Sequence, residues 1–96
     1  MAVISYTARA LSDLERLCGF LFETDPATAD QTADLIVTAI EALEYHPLVG
    51  RPTESGYREL VISRGTTGYL ALYLYDEARD RVLVLSIRHQ RESGYA

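Results

Sequence analysis

The chain has 96 residues, 48% of them apolar and 24% charged, the make-up of one ordinary globular domain. That composition excludes a mainly disordered chain. No apolar run reaches the roughly 20 residues of a membrane-spanning helix, and a single cysteine, Cys18, excludes an internal disulfide or a cysteine-based zinc site. The segment Met1–Tyr6 shows neither a basic stretch nor a long apolar stretch, so no secretory signal is read and a reducing cytoplasmic location is expected.

The net charge is −5, and all nine basic residues are arginine. Residues 1–50 carry two arginines and eight acids, a net −6, whereas residues 51–96 carry seven arginines and six acids, a net +1. The front half therefore reads as an acidic surface and the back half as Arg-rich, a division that bears on partners rather than on fold. GC-rich coding produces the same lysine-free bias.

Residues 2–6 alternate weakly and read as a first strand. Thr7 then suits a helix N-cap. Leu11, Leu14, Cys18 and Leu21 follow at helical spacing, widened by Leu17 and Phe22, and predict a helix over about 8–24 with Asp13, Glu15, Arg16 and Glu23 off its apolar stripe. Pro26 ends that helix and suits the first turn of the next, with Asp25 as its cap. Ala29, Ala33, Ile36, Ile40 and Leu43 make the apolar face of the second helix, which stops at His46-Pro47. The short connection makes the two helices an antiparallel hairpin over about 8–46. Residues 47–52 read as a rigid link.

The back half changes period. Residues 57–62, 69–75 and 82–87 read as three strands of an antiparallel meander over about 57–89, separated by polar turns, and residues 90–96 form a polar tail. Leu60, Leu72 and Leu85 are expected to contribute to the core. The expectation is one α+β domain, a first strand and a helical hairpin packed on a twisted antiparallel sheet. The hairpin covers one sheet face. The other presents Tyr or Leu side chains of residues 69–75 with no evident cover, which reads either as a partner surface involving Tyr69, Tyr73 and Tyr75 or as tyrosines with hydroxyls in water.

Chemistry is sparse. There is no phosphate loop, no nucleophile elbow and no metal-ligand spacing, and no cofactor or metal is expected. His46 reads as a helix-terminus residue. One cluster remains: Arg88-His89-Gln90-Arg91, with Tyr95 beyond and Arg58 on a neighbouring strand. Arginine forks bind phosphate, histidine transfers protons and tyrosine stacks on a base or transfers a proton. Such a set can cleave RNA without a metal. The same residues also read as a charged strand end pairing with Glu59 and Glu92.

The ordered set of segments is similar to the RelE/ParE superfamily of type II toxin–antitoxin toxins over nearly the whole chain. The matching segments are residues 6–14, Asp25-Pro26-Ala27-Thr28-Ala29, Ile40-Glu41-Ala42-Leu43 with Pro47, Gly50-Arg51-Pro52, Tyr57-Arg58-Glu59-Leu60, Tyr69 with Tyr73, and residues 84–91. The resemblance implies a helical hairpin on a twisted antiparallel sheet, a hetero-oligomer with a ParD-like or RelB-like antitoxin, and no membrane partner. ParE-type members poison DNA gyrase; RelE-type members cleave mRNA on the ribosome. The chain departs from the RelE pattern, having Leu70 where that group has a phosphate-binding arginine, and Arg58 and Leu60 where it has lysines. Arg91 and Tyr95 resemble that group's C-terminal pair at altered spacing. The Asp-Pro hairpin and the acidity favour the ParE type, since nucleic-acid binding rests on basic grooves. The resemblance thus implies a gyrase inhibitor with Tyr69, Tyr73, Tyr75, Arg88 and Arg91 as partner-binding residues. The alternatives are a nuclease using Arg58, His89, Arg91 and Tyr95, and a non-toxic antitoxin-binding member.

Overall fold

The computed structural model describes residues 1–64, 67–92 and 95, with backbone only at residues 20–22, 64 and 67. In chain order the elements are β1 (Val3–Tyr6), α1 (Ala8–Thr24), α2 (Pro26–Glu41), a 3₁₀ turn (Ala42–Glu44), β2 (Arg51–Pro52), β3 (Arg58–Arg64), β4 (Thr67–Asp76) and β5 (Arg81–His89). The strands form one sheet in the order β1-β5-β4-β3-β2.

Local chemistry sets the helix ends. The Thr7 hydroxyl accepts the Ala10 N–H at 3.0 Å and caps α1. Asp25 caps α2, accepting the Thr28 N–H at 3.3 Å and the Thr28 hydroxyl at 2.6 Å, with Pro26 as the first helical residue. Those accepted bonds hold the Asp25 carboxyl below the usual carboxylate range.

Ala29, Ile36, Ile40 and Leu43 are buried from the hairpin side, and Ile62, Tyr69, Ala71, Tyr73, Val82, Val84 and Ile87 from the sheet. α1 packs over β5 and α2 over β3. Among the described residues no helix is long and apolar enough to cross a membrane.

Several expectations are corrected. The sheet is mixed, because β1 runs parallel to β5, pairing Val3 with Arg81 through Tyr6 with Val84. That direction brings the chain out of β1 beside the uncovered end of β5, where α1 starts. The link at Arg51-Pro52 forms the short edge strand β2, and Pro52, lacking an N–H, blunts that edge. On α1 the buried face is Ala10, Asp13, Leu14 and Leu17; Leu11 is 52% exposed and Asp13 only 8%. Leu60 packs on the core, whereas Leu72 and Leu85 are half-buried outside it. The expected side-chain roles of Leu21 and Phe22, the turn at Gly65-Thr66, and Ser93, Gly94 and Ala96 of the tail lie outside the described residues.

The tyrosine expectation also changes. Tyr69, Ala71 and Tyr73 alternate onto the helix-facing side of β4, where Tyr69 is 6% exposed and Tyr73 0%. They are core residues, not an exposed partner surface. Tyr75 is half-buried, and its hydroxyl donates to Asp80 at 2.7 Å.

Candidate functional site

The site begins where β1 ends. Past Val84, β5 has no strand on its β1 side among the described residues, and side chains from Thr7, α1 and Glu92 take the place of one. The Thr7 N–H donates to Val84 O at 3.0 Å and the Thr7 hydroxyl to Leu85 O at 3.0 Å. Asp13 then accepts the Ile87 N–H at 2.9 Å and the Ser86 hydroxyl at 2.6 Å. Glu92 accepts the His89 N–H at 3.2 Å and is itself held by Arg16 at 2.9 Å. This ion pair keeps the Glu92 carboxyl below its ordinary range. Backbone N–H and C=O groups on an open strand edge need partners, and Thr7, Asp13 and Glu92 fix the C-terminal end of β5 with its Arg/His cluster. Sequence reasoning missed Asp13, although it lies three residues after Ala10 and four before Leu17, on the buried stripe.

On the open sheet face the chain folds back. The Tyr95 hydroxyl donates to Glu59 on β3 at 2.5 Å, and the Arg88 guanidinium sits 5.0 Å from the Tyr95 ring centre. That distance suits a cation–π contact. Glu59 also pairs with Arg51. Burial pushes the Glu59 carboxyl up, but the bonds from Tyr95 and Arg51 outweigh it and hold it below its ordinary range. Burial and the Glu59 carboxylate push the Tyr95 hydroxyl well above the usual tyrosine range. Tyr95 is therefore a locked donor here, not a proton shuttle near neutral pH. Beneath this latch, Leu70 is 4% exposed, and Arg88 turns back to the carbonyl oxygen of Glu92.

The other candidates lie elsewhere. His89 stands opposite Tyr69 on β4, its ring edge-on to Tyr69 at 5.3 Å, on the face away from Arg88. Its Nδ1 accepts the Arg91 N–H at 3.1 Å. Arg91 is exposed, and among the described residues its guanidinium makes no ion pair or hydrogen bond. Arg58 stands opposite Tyr73, four residues along β4 from Tyr69, or about 13 Å at strand rise. Its guanidinium donates to Leu48 O at 3.1 Å and Gly50 O at 2.8 Å. Beside it the Tyr73 hydroxyl donates to Pro47 O at 2.8 Å and accepts the Gly50 N–H at 2.9 Å. Arg58 and Tyr73 together clamp the 47–50 loop. The structure thus brings together Arg88 and Tyr95, and separately His89 and Arg91, but places Arg58 at the far end of the sheet. Among the described residues no cluster of His, Cys, Asp and Glu is suited to a metal.

Comparison with known proteins gives a consistent answer. Residues 4–94 match the family described as "ParE toxin of type II toxin-antitoxin system, parDE". "Toxin RelE3" of Caulobacter vibrioides is 36% identical over 93 residues, covering 96% of this chain and 98% of that protein. Among solved structures, the chromosomal ParDE system of P. aeruginosa superposes with a TM-score of 0.75 at 22% identity, covering 93% of this chain and 96% of that one. The RelBE2 toxin–antitoxin complex of Mycobacterium tuberculosis superposes with a TM-score of 0.62 at 26% identity, covering 93% and 98%. The fold is shared with both, and the chain belongs to the ParE toxin family of type II toxin–antitoxin systems, within the RelE/ParE superfamily.

Proposed function

We propose that this toxin is of the ParE type, blocks growth by binding DNA gyrase rather than by cutting RNA, and is neutralised by an antitoxin encoded beside it. The observation that carries this reading is the state of Arg58: its guanidinium is spent on the Leu48 and Gly50 carbonyls, far from His89. Tyr95 is locked to Glu59 on the opposite sheet face from His89. A metal-free nuclease needs phosphate-binding and proton-transferring groups within hydrogen-bond reach of one substrate, and Leu70 stands where the resemblance to RelE-type toxins implies a phosphate-binding arginine. The solved relatives are toxin–antitoxin assemblies, which supports an antitoxin partner.

One observation favours a second reading, ribosome-dependent mRNA cleavage. Arg91 is an exposed cation beside His89 whose guanidinium has no partner among the described residues, and a relative bears the name Toxin RelE3. Induced expression separates the two. The gyrase reading predicts growth arrest that persists in His89→Ala and Arg91→Ala, with intact mRNA, and that antitoxin co-expression relieves. Loss of arrest in both variants together with cleaved mRNA in the wild type would establish the nuclease.

A further inference from the structure

Exposed apolar surface is concentrated at one loop. Seven large apolar side chains are exposed among the described residues, and three of them, Tyr45 at 68%, Leu48 at 57% and Val49 at 62%, fall within five consecutive positions. Single exposed apolar residues are ordinary, whereas a cluster marks a contact surface.

The loop is held in one arrangement. The His46 N–H donates to Ala42 O at 3.1 Å, and the Val49 N–H donates to His46 O at 3.2 Å. The Tyr73 hydroxyl takes up Pro47 O and the Gly50 N–H, and the Arg58 guanidinium takes up Leu48 O and Gly50 O. Gly50 is buried against the Tyr73 ring. With its backbone bonded inward, the loop presents Leu48 and Val49 to solvent, and little ordering entropy is left to lose when a partner binds. Tyr45, Pro47, Leu48 and Val49 line a cleft of about 490 Å³ together with Tyr75 and Glu77. Glu77, and Glu44 just before Tyr45, form no ion pair among the described residues.

We propose that residues 45–49 are the surface by which this toxin grips DNA gyrase. Tyr45, Leu48 and Val49 enter an apolar recess of the enzyme, and Glu44 and Glu77 meet Lys or Arg at its border. The choice of partner rests on the gyrase reading proposed above; the choice of surface does not. Charge selects the occupant. An enzyme that handles DNA carries basic surfaces for the phosphates, and an apolar anchor with unpaired carboxylates beside it complements such a surface. A second copy docked loop to loop about a two-fold axis would instead bring like carboxylates together. The loop also lies away from the Arg/His cluster. Arg58, which holds it, pairs with Tyr73, whereas His89 pairs with Tyr69 four residues along β4. Contact through the loop therefore requires neither His89 nor Arg91.

The test titrates the full chain and its variants into supercoiling of relaxed plasmid by purified gyrase, and measures the affinity of each for the antitoxin encoded beside it. Tyr45→Ser and Leu48→Ser are each expected to raise the half-inhibiting concentration by roughly tenfold or more. Glu77→Lys is expected to raise it by about threefold or more. Tyr45→Phe and Leu48→Met keep the apolar contact and stay within about threefold, as does Leu11→Ser, which removes exposed apolar surface from α1 instead. Every variant keeps the wild-type antitoxin affinity within about threefold. Thermal transitions close to that of the wild type show that each is folded, as expected for substitutions in solvent. Wild-type inhibition by both Tyr45→Ser and Leu48→Ser overturns the surface and leaves the gyrase reading standing. Lost antitoxin binding with retained inhibition gives the loop to the antitoxin and overturns the choice of occupant, as does a self-association of the wild type that Leu48→Ser abolishes. A folded wild-type chain that arrests growth without inhibiting gyrase overturns both.

Discussion

Asp13 on α1 accepts the Ile87 N–H of β5 at 2.9 Å while also holding the Ser86 hydroxyl at 2.6 Å, from a site only 8% exposed. One carboxylate thus does for β5 what another strand would do. Asp13→Ala strands a buried N–H and a buried hydroxyl, and is expected to cost about 1–3 kcal/mol in urea unfolding. Asp13→Asn keeps an acceptor and should lose less. Equal stability of Asp13→Ala and wild type would refute the role.

The clamp on the 47–50 loop yields a second prediction. Tyr73→Phe removes both bonds of the hydroxyl and leaves the Gly50 N–H and Pro47 carbonyl without it, a loss of about 1–3 kcal/mol. Gly50→Ala is harsher in kind, since a Cβ there comes within 2.5 Å of the Tyr73 hydroxyl and 2.6 Å of its ring. A lower Tm in both variants is the expected result.

Core and surface separate cleanly on the hairpin. Ile36→Ala, at 0% exposure, is expected to cost about 2–5 kcal/mol. Leu11→Ser, at 52% exposure, should stay within about 0.5 kcal/mol. Both are read from denaturant midpoints.

The hairpin and the meander were legible in the sequence because their signals are local. The spacing of Ile36, Ile40 and Leu43, the Asp25-Pro26 break and the apolar runs of β4 and β5 needed no tertiary information. The facing of the β4 tyrosines was not legible. Tyr69 and Tyr73 look like surface aromatics until Pro47 and Gly50 supply partners for the Tyr73 hydroxyl from 26 and 23 residues away. The parallel docking of β1 and the burial of Asp13 were hidden for the same reason, since both depend on which part of β5 is left uncovered. The candidate site was half legible. Arg88 with Tyr95 and His89 with Arg91 do lie together, but the alternation of β5 sends Arg88 and His89 to opposite faces.

Acid should loosen the C-terminal contacts. The Glu59 and Glu92 carboxyls lie below their ordinary range in the folded chain, so each contributes stability that is present above its unfolded value near pH 4.3. That contribution is lost as pH falls through the lower folded value. Tyr95 has the opposite sign: raised in the folded chain, it contributes stability below about pH 10 that is lost on the alkaline side. Thermal unfolding followed from pH 3 to 6 should show Tm falling with acid, and Glu59→Gln should flatten that slope. An unchanged slope would contradict the assignment.

The most direct measurement is supercoiling of relaxed plasmid by purified DNA gyrase, with the toxin titrated in and the antitoxin added back. Inhibition at micromolar toxin, unaffected by His89→Ala and Arg91→Ala and reversed by the antitoxin, is the predicted result. Undiminished supercoiling at those concentrations, with a wild-type chain that arrests growth, would contradict the gyrase assignment.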